Sequence, residues 1–262
     1  MAAQGSIRQH WDGDFLFALR TLLLKDFRVR YRNMSLGVGW SLANPIIMMS
    51  VLTFVFTQIF PNEEKNYPIF VLCGLIPFNF FTLAWSTATR SLVDNASLIK
   101  RTRFPREIVP ISTVLGNTVH LLIQIALLLT LVLVFGSGVS LLWLWLPVIL
   151  ALEVAFVIGM GLIFSAIDVY VRDIRYVVES VNLVLLWLVP IFYGFNKIPE
   201  KYHLLYRFNP VAAVVMALRN VLIEGKAPAT SLIFNLTLVS TVVLAAGILL
   251  FGRLKRRFYD YL

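Results

Sequence analysis

The 262-residue chain is 59% hydrophobic and 14% charged, with a mean hydropathy of +0.81 and a formal charge of +9. Soluble domains run at about 45–50% apolar and about 25% charged, so too little polar surface remains to coat a soluble body. Disordered, disulfide-rich secreted and ordinary cytosolic-enzyme classes are excluded, an integral membrane protein remains, and the surplus charge must be explained by where it sits.

The first 35 residues are polar and basic, with no apolar core followed by a small-residue cleavage site, so no signal peptide is expected. Within them, 14–32 has helical periodicity: Phe15, Leu19, Leu22, Leu23 and Phe27 share one face, while Lys25, Arg28 and Arg32 group on another. That pattern predicts an amphipathic helix lying in the cytoplasmic interface, its cations towards anionic headgroups.

About 20 apolar residues cross a bilayer core as a helix. Six stretches of that kind follow, at 36–60, 67–89, 108–135, 141–167, 177–195 and 231–251. They define an all-α integral membrane fold with a transmembrane domain over 36–253 and a short tail at 254–262. With the N-terminus inside, 17 of the 23 Lys and Arg residues fall on the inner side, which predicts that both termini are cytoplasmic. The excess charge therefore reports topology, and nucleic acid is not an expected partner. The stretch 211–223 is too short to span and carries Arg219, so it is read as an external re-entrant element within 196–230. Asn209-Pro210 suits its start and Glu224-Gly225 its end.

Catalytic signatures are missing. The chain has no G-x-x-x-x-G-K-[ST] phosphate loop, no H-E-x-x-H and no G-x-S-x-G, and its single Cys73 and scattered histidines predict no metal site. Any energy source must come from a partner or an ion gradient. Glu153 is the one carboxylate in the middle of a predicted span, beside the small residues Ala151, Ala155 and Gly159. It is either a structural carboxyl or part of a pathway or proton relay. His120 and Gln124, one turn apart, read first as interhelical hydrogen-bond partners. Most aromatics near span ends belong to an interfacial belt. Trp40, Phe78, Phe81, Trp85, Phe192 and Tyr193 are candidates for lining a sugar path, because ring faces contact the C–H surfaces of sugars.

The loop 90–107 places Leu98 and Ile99 before a basic cluster, and Phe104-Pro105 restarts the next helix. A positive-inside loop needs only the cations, whereas a short amphipathic helix that plugs into a cytosolic partner needs the apolar pair as well.

Several motifs carry a resemblance in combination. They are Lys25-Asp26-x-x-Val29-Arg30-Tyr31-Arg32, Leu36-Gly37-x-x-Trp40-Ser41-Leu42-x-Asn44-Pro45, Cys73-Gly74-Leu75-Ile76-Pro77-Phe78 and Val93-Asp94-Asn95-Ala96-Ser97-Leu98-Ile99-Lys100. Phe104-Pro105-Arg106-Glu107-Ile108, Val171-Arg172-Asp173-Ile174, Pro190-Ile191-Phe192-Tyr193 and Phe208-Asn209-Pro210 complete the set. The chain resembles the permease subunits of ABC-2 type transporters that export cell-surface polysaccharides, above all O-antigen export permeases, with capsule and teichoic-acid export permeases as near relatives.

The resemblance implies the six-span ABC-2 exporter fold, a multi-pass place in the inner membrane, and a homodimer paired with two separate ATPase subunits. ATP and Mg would then sit on that partner, this chain being a non-enzymatic channel subunit that binds no cofactor itself. Asp94, Asn95, Ser97, Leu98, Ile99, Lys100, Arg101, Arg103, Phe104 and Arg106 would form the ATPase-coupling loop. The N-terminal helix would be the interface helix, and 196–224 would supply external gate helices. The cargo would be a polyprenyl-pyrophosphate-linked polysaccharide, its headgroup attracted by Lys25, Arg28, Arg30 and Arg32, although binding of membrane lipid headgroups explains those cations equally well. A drug or other small lipid-linked substrate, a membrane scaffold and a glycolipid enzyme are the alternatives.

Overall fold

The computed structural model describes residues 14–31, 39–59, 64, 66–101, 104–135 and 138–261, with side chains for all of these except 26–31, 205, 259 and 260. The described residues are helical and contain no strand. The predicted interfacial helix is α1, Phe15–Tyr31. Next come α2 (Gly39–Phe54), continued by a widened π turn at Val55–Ile59, and α3 (Tyr67–Asp94). The short α4 (Ala96–Arg101) leads to α5 (Ile108–Phe135), α6 (Trp145–Asp168) and α7 (Ile174–Leu188). The chain closes with α8 (His203–Phe208), α9 (Pro210–Leu222), α10 (Thr230–Leu254) and α11 (Phe258–Tyr261).

Five described segments are long and apolar enough to cross a bilayer: Gly39–Ile59, Tyr67–Asp94, Ile108–Phe135, Leu141–Asp168 and Thr230–Arg257. They coincide with five of the six predicted spans. The remaining one differs. Helix α7 has 15 residues and ends at Leu188, so at 1.5 Å per residue it rises about 22 Å, short of a bilayer core of about 30 Å. Pro190 is the reason. It supplies no N–H and pushes Val189 into extended backbone (φ −81°, ψ 135°), so the apolar run 189–193 leaves the helix and turns back into the bundle.

Helix α3 forms the centre. Its apolar residues pack on α5, α6 and α9, and most of its surface is buried. Helix α6 lies along α10 with the most extensive contact in the molecule. The two run in the same direction, and their backbones touch where Gly159 meets Val243, Leu244 and Gly247. A second apolar cluster, with Leu92, Ile99, Val109, Leu162, Phe251 and Phe258 at its centre, closes the end of the bundle that carries α4. Helix α1 packs there against α5, with Leu19, Leu22 and Leu23 half-buried and Leu16, Phe17 and Leu24 left exposed.

Candidate functional site

At the α4 end, Asn95 separates α3 from α4. Its backbone N–H donates to the Ser91 carbonyl, its side-chain amide donates to the same oxygen at 2.9 Å, and its Oδ1 accepts from Lys25 Nζ at 3.1 Å. The predicted coupling loop is therefore tied to α1. Asp94, Ser97, Lys100 and Arg101 are exposed and Leu98 is half-buried, but Ile99 is only 2% exposed. Its side chain anchors α4 in the second apolar cluster, so of the pair expected to face a partner only Leu98 reaches the surface. Phe104 packs against the same cluster, while Arg103 lies outside the described residues. Beyond it, Arg106 donates to the Lys255 carbonyl, its guanidinium standing 5.9 Å from the Phe258 ring centre. Lys255 in turn bridges Glu107 at 3.0 Å. The loop is thus fastened to the start of the chain and to its end. Of the interface-helix cations, Lys25 is placed as stated, Arg28 and Arg30 lie on α1 without described side chains, and Arg32 falls outside the described residues.

Towards the middle of the bundle, Gln124 is buried on α5. Its side-chain amide donates to the Ser41 carbonyl of α2 at 3.0 Å and stands 3.0 Å from His120 Nε2, linking α5 to α2. Four of the six candidate path aromatics are core residues instead. Phe78, Phe81, Trp85 and Phe192 are each at most 8% exposed. Phe81 lies 5.3 Å from Trp85 and 6.0 Å from Phe156, and Trp85 meets Phe164 edge-on at 5.0 Å. Large rings bury the most area per side chain, so those on the central helix fill the interior rather than a path on this chain's surface. Trp40 is 51% exposed and Tyr193 is half-buried, its hydroxyl 3.1 Å from that of Tyr206.

At the opposite end, α9 starts as predicted. Asn209 Oδ1 accepts from the N–H groups of Val211 and Ala212, Pro210 holds the first helical position, and Gly225 turns the chain away with φ +62°. Sequence reasoning missed what this helix carries. The buried Arg219 donates to the carbonyls of Pro190 (2.6 Å), Ile191 (2.7 Å), Tyr193 (3.3 Å) and Phe70 (3.3 Å), and its plane lies 3.4 Å over the Phe70 ring centre. Those carbonyls belong to backbone that Pro190 released from α7 and to the first turn of α3. Unpaired backbone is not tolerated in an apolar interior, and one guanidinium satisfies the carbonyls at 190, 191 and 193, while that of Phe70, in the first turn of a helix, takes it as a second donor. The signal was visible: a lone arginine in a 13-residue apolar helix is costly and so must have partners.

Residues 18–223, from α1 through the end of α9, match the ABC-2 type transporter family. The chain belongs to the ABC-2 transporter family. Its relatives include an O-antigen export system permease protein RfbA from Klebsiella pneumoniae, 31% identical over 98% of this chain and 100% of that one. A Myxococcus xanthus protein of the same name is 26% identical over 92% of this chain and 94% of its own length. The polysialic acid transport protein KpsM of Escherichia coli is 24% identical over 89% and 92% respectively.

In this ABC-2 permease Glu153 is 2% exposed on α6, and neither carboxyl oxygen has a hydrogen-bond partner among the described residues. Counting six residues back from the contact of Gly159 with Val243–Leu244, it lies at the level of Thr237–Leu238 on α10, within a turn of Ser240, whose hydroxyl is also buried and unpartnered. A structural carboxyl in that setting contributes little that a neutral amide cannot. Glu153→Gln is therefore expected to keep the melting temperature within the parent's range and to leave transport near normal. Transport lost from a mutant that still assembles stably would instead place Glu153 in the transport pathway.

Proposed function

We propose that this ABC-2 permease exports a polysaccharide carried on a polyprenyl pyrophosphate across the inner membrane, as a homodimer paired with two copies of a separate ATPase. The observation that carries the reading is similarity to RfbA at 31% identity over 98% of the chain, whereas the capsule-type relative stands at 24%. The α4 end is the cytoplasmic one, because the basic segments at 90–107 and 253–257 gather there. The α9 end then faces outward, and α9 with α8 forms the external gate. The exposed apolar faces of α2 (Ile47, Val51 and Phe54) and α7 (Val184, Trp187 and Leu188) offer surface to a second copy as well as to lipid. Lys25 and the other α1 cations attract the pyrophosphate from the inner leaflet, and ATP with Mg is hydrolysed on the partner.

Docking of that ATPase falls to the exposed side of α4, namely Ser97, Lys100 and Arg101 with Leu98 at their centre, together with Asp94 at the end of α3, while Ile99 holds the helix to the bundle. Charge reversal by Lys100→Glu with Arg101→Glu is expected to weaken retention of the ATPase by about tenfold or more, as opposed charges across an interface do. The permease itself should stay folded, since both side chains are exposed. Stoichiometric co-purification of the ATPase with this double mutant would remove α4 as the docking element. The export reading is tested separately, by returning the gene to a strain lacking it and measuring surface polysaccharide. Intracellular accumulation that the wild-type gene does not relieve would sink it.

A further inference from the structure

The α9 end holds a cavity of about 440 Å³ inside a single chain, walled by the segment after α7, the end of α8, α9 and the start of α10. Its volume lies within the range of about 300–1,000 Å³ usual for small-ligand sites. Arg219 lines it but is already committed to four backbone carbonyls. The other polar groups are not. Glu64, Asn196, Arg207 and Asn220 face the cavity with side chains that make no hydrogen bond or ion pair to a described residue. Glu224 has only a loose contact with Lys226, at 3.9 Å. The lack of a side chain at Gly194 is part of the construction. A Cβ there would collide with both the Glu64 carboxylate and the Asn196 amide oxygen, so glycine is what lets these two groups converge. Phe195 adds an aromatic wall, backed by His203 at 4.4 Å between ring centres.

We propose that this cavity is a saccharide subsite, one in each protomer, that holds a short stretch of glycan on the outer side of the membrane. The inference rests on the export reading for its choice of ligand but not for its geometry. Carboxylate, amide and guanidinium are planar groups that pair with two neighbouring acceptors or donors at once, which matches the adjacent hydroxyls of a sugar ring. The aromatic face takes the ring's C–H surface. Two carboxylates, Glu64 and Glu224, and two guanidiniums, Arg207 and Arg219, give the lining a formal charge of zero, which favours a neutral ligand over a lone anion or cation. A neutral polyhydroxylated ring is the ligand that satisfies all five groups together. All described walls of the site come from one chain, so each protomer carries its own copy of it. It would hold the emerging polymer and so hinder its return.

The test uses the complete permease–ATPase complex in detergent. The probe is oligosaccharide released by mild acid from the host's own surface polysaccharide, and saturation-transfer NMR reads its binding. Asn196→Ala with Asn220→Ala is expected to weaken binding about tenfold, equivalent to about 1.4 kcal/mol. Asn196→Ala alone, at an exposed position that perturbs no packing, should weaken it by a smaller factor. Binding by the wild-type complex that falls in this order supports the subsite. Absence of binding by the wild-type complex, or equal binding by both variants, overturns it. Saccharide binding in a complex that fails to restore surface polysaccharide would leave the subsite standing and remove the export reading instead.

Discussion

Arg219→Lys is expected to unfold the α9 end of this permease although it keeps the charge. The guanidinium supplies donors in a fixed plane to four carbonyls and covers the Phe70 ring at 3.4 Å, whereas an ammonium has three donors on a compact head and no flat face. At least two of the carbonyls, on Pro190 and Ile191, would be left without a partner inside an apolar shell. Each such loss costs about 1–3 kcal/mol. Together with the stacking contact, the substitution should cost about 3–5 kcal/mol. On the scale of soluble domains of similar size that is a fall in melting temperature on the order of 10 °C. Arg219→Ala should be at least as damaging. A second substitution reaches the same contact from the other side. A Cβ on Gly74 would stand 3.1 Å from the Ile191 Cα and 3.4 Å from Arg219 Nη2, so Gly74→Leu should lower stability by the same route. Melting of detergent-purified protein, followed by size-exclusion fluorescence, measures both. If Arg219→Lys melts with the parent, the guanidinium is not what holds the 189–193 segment.

Gly159→Leu should have an effect of similar size at the other main joint. A Cβ at this position would lie 2.7 Å from the Leu244 nitrogen and the Val243 carbonyl carbon, and one on Gly247 would lie 2.6 Å from the Gly159 oxygen. The obstacles are backbone atoms, which cannot rotate away as a side chain would. Helices α6 and α10 must separate, and overpacking of this kind costs about 1–3 kcal/mol or more. The consequences reach the α4 end, because α10 delivers Lys255 to Glu107 and Phe258 to Arg106. Reduced accumulation in the membrane and a lower melting temperature are the expected readings. Gly252 provides the control: it sits on the partner helix α10 with nothing within 4 Å of its Cβ position, so Gly252→Leu should be tolerated. Equal behaviour of the two leucine variants would show that close helix approach at Gly159 is not required.

Much of the fold was legible before any coordinates. The span predicted at 108–135 is α5 residue for residue, and the segment predicted at 211–223 is α9 shifted by one. Both rest on signals that act within a few residues, namely apolar runs and capping side chains. Helix α3 runs on to Asp94, past the predicted limit of 89, because a helix ends where its backbone pairing ends and not where hydropathy falls. The candidate site was legible in outline. Its loop, its short helix and its cations were all placed on one element, and the structure brings them to one end of the bundle.

What the sequence by itself determined is the class of the protein and the position of most helices, because hydropathy and capping are local properties that a linear chain displays in full. The family also follows from it, since the quoted motifs survive as strings. Only the tertiary structure decided which way side chains turn. It sent Ile99 inward and Leu98 outward, put Phe78, Phe81 and Trp85 in the core, and ended α7 at Leu188. It also brought Arg219 onto the carbonyls of Phe70, Pro190 and Ile191, residues up to 149 positions away. The reason is the same in each case: burial and hydrogen-bond pairing depend on neighbours contributed by distant parts of the chain, and no local pattern records who those neighbours are.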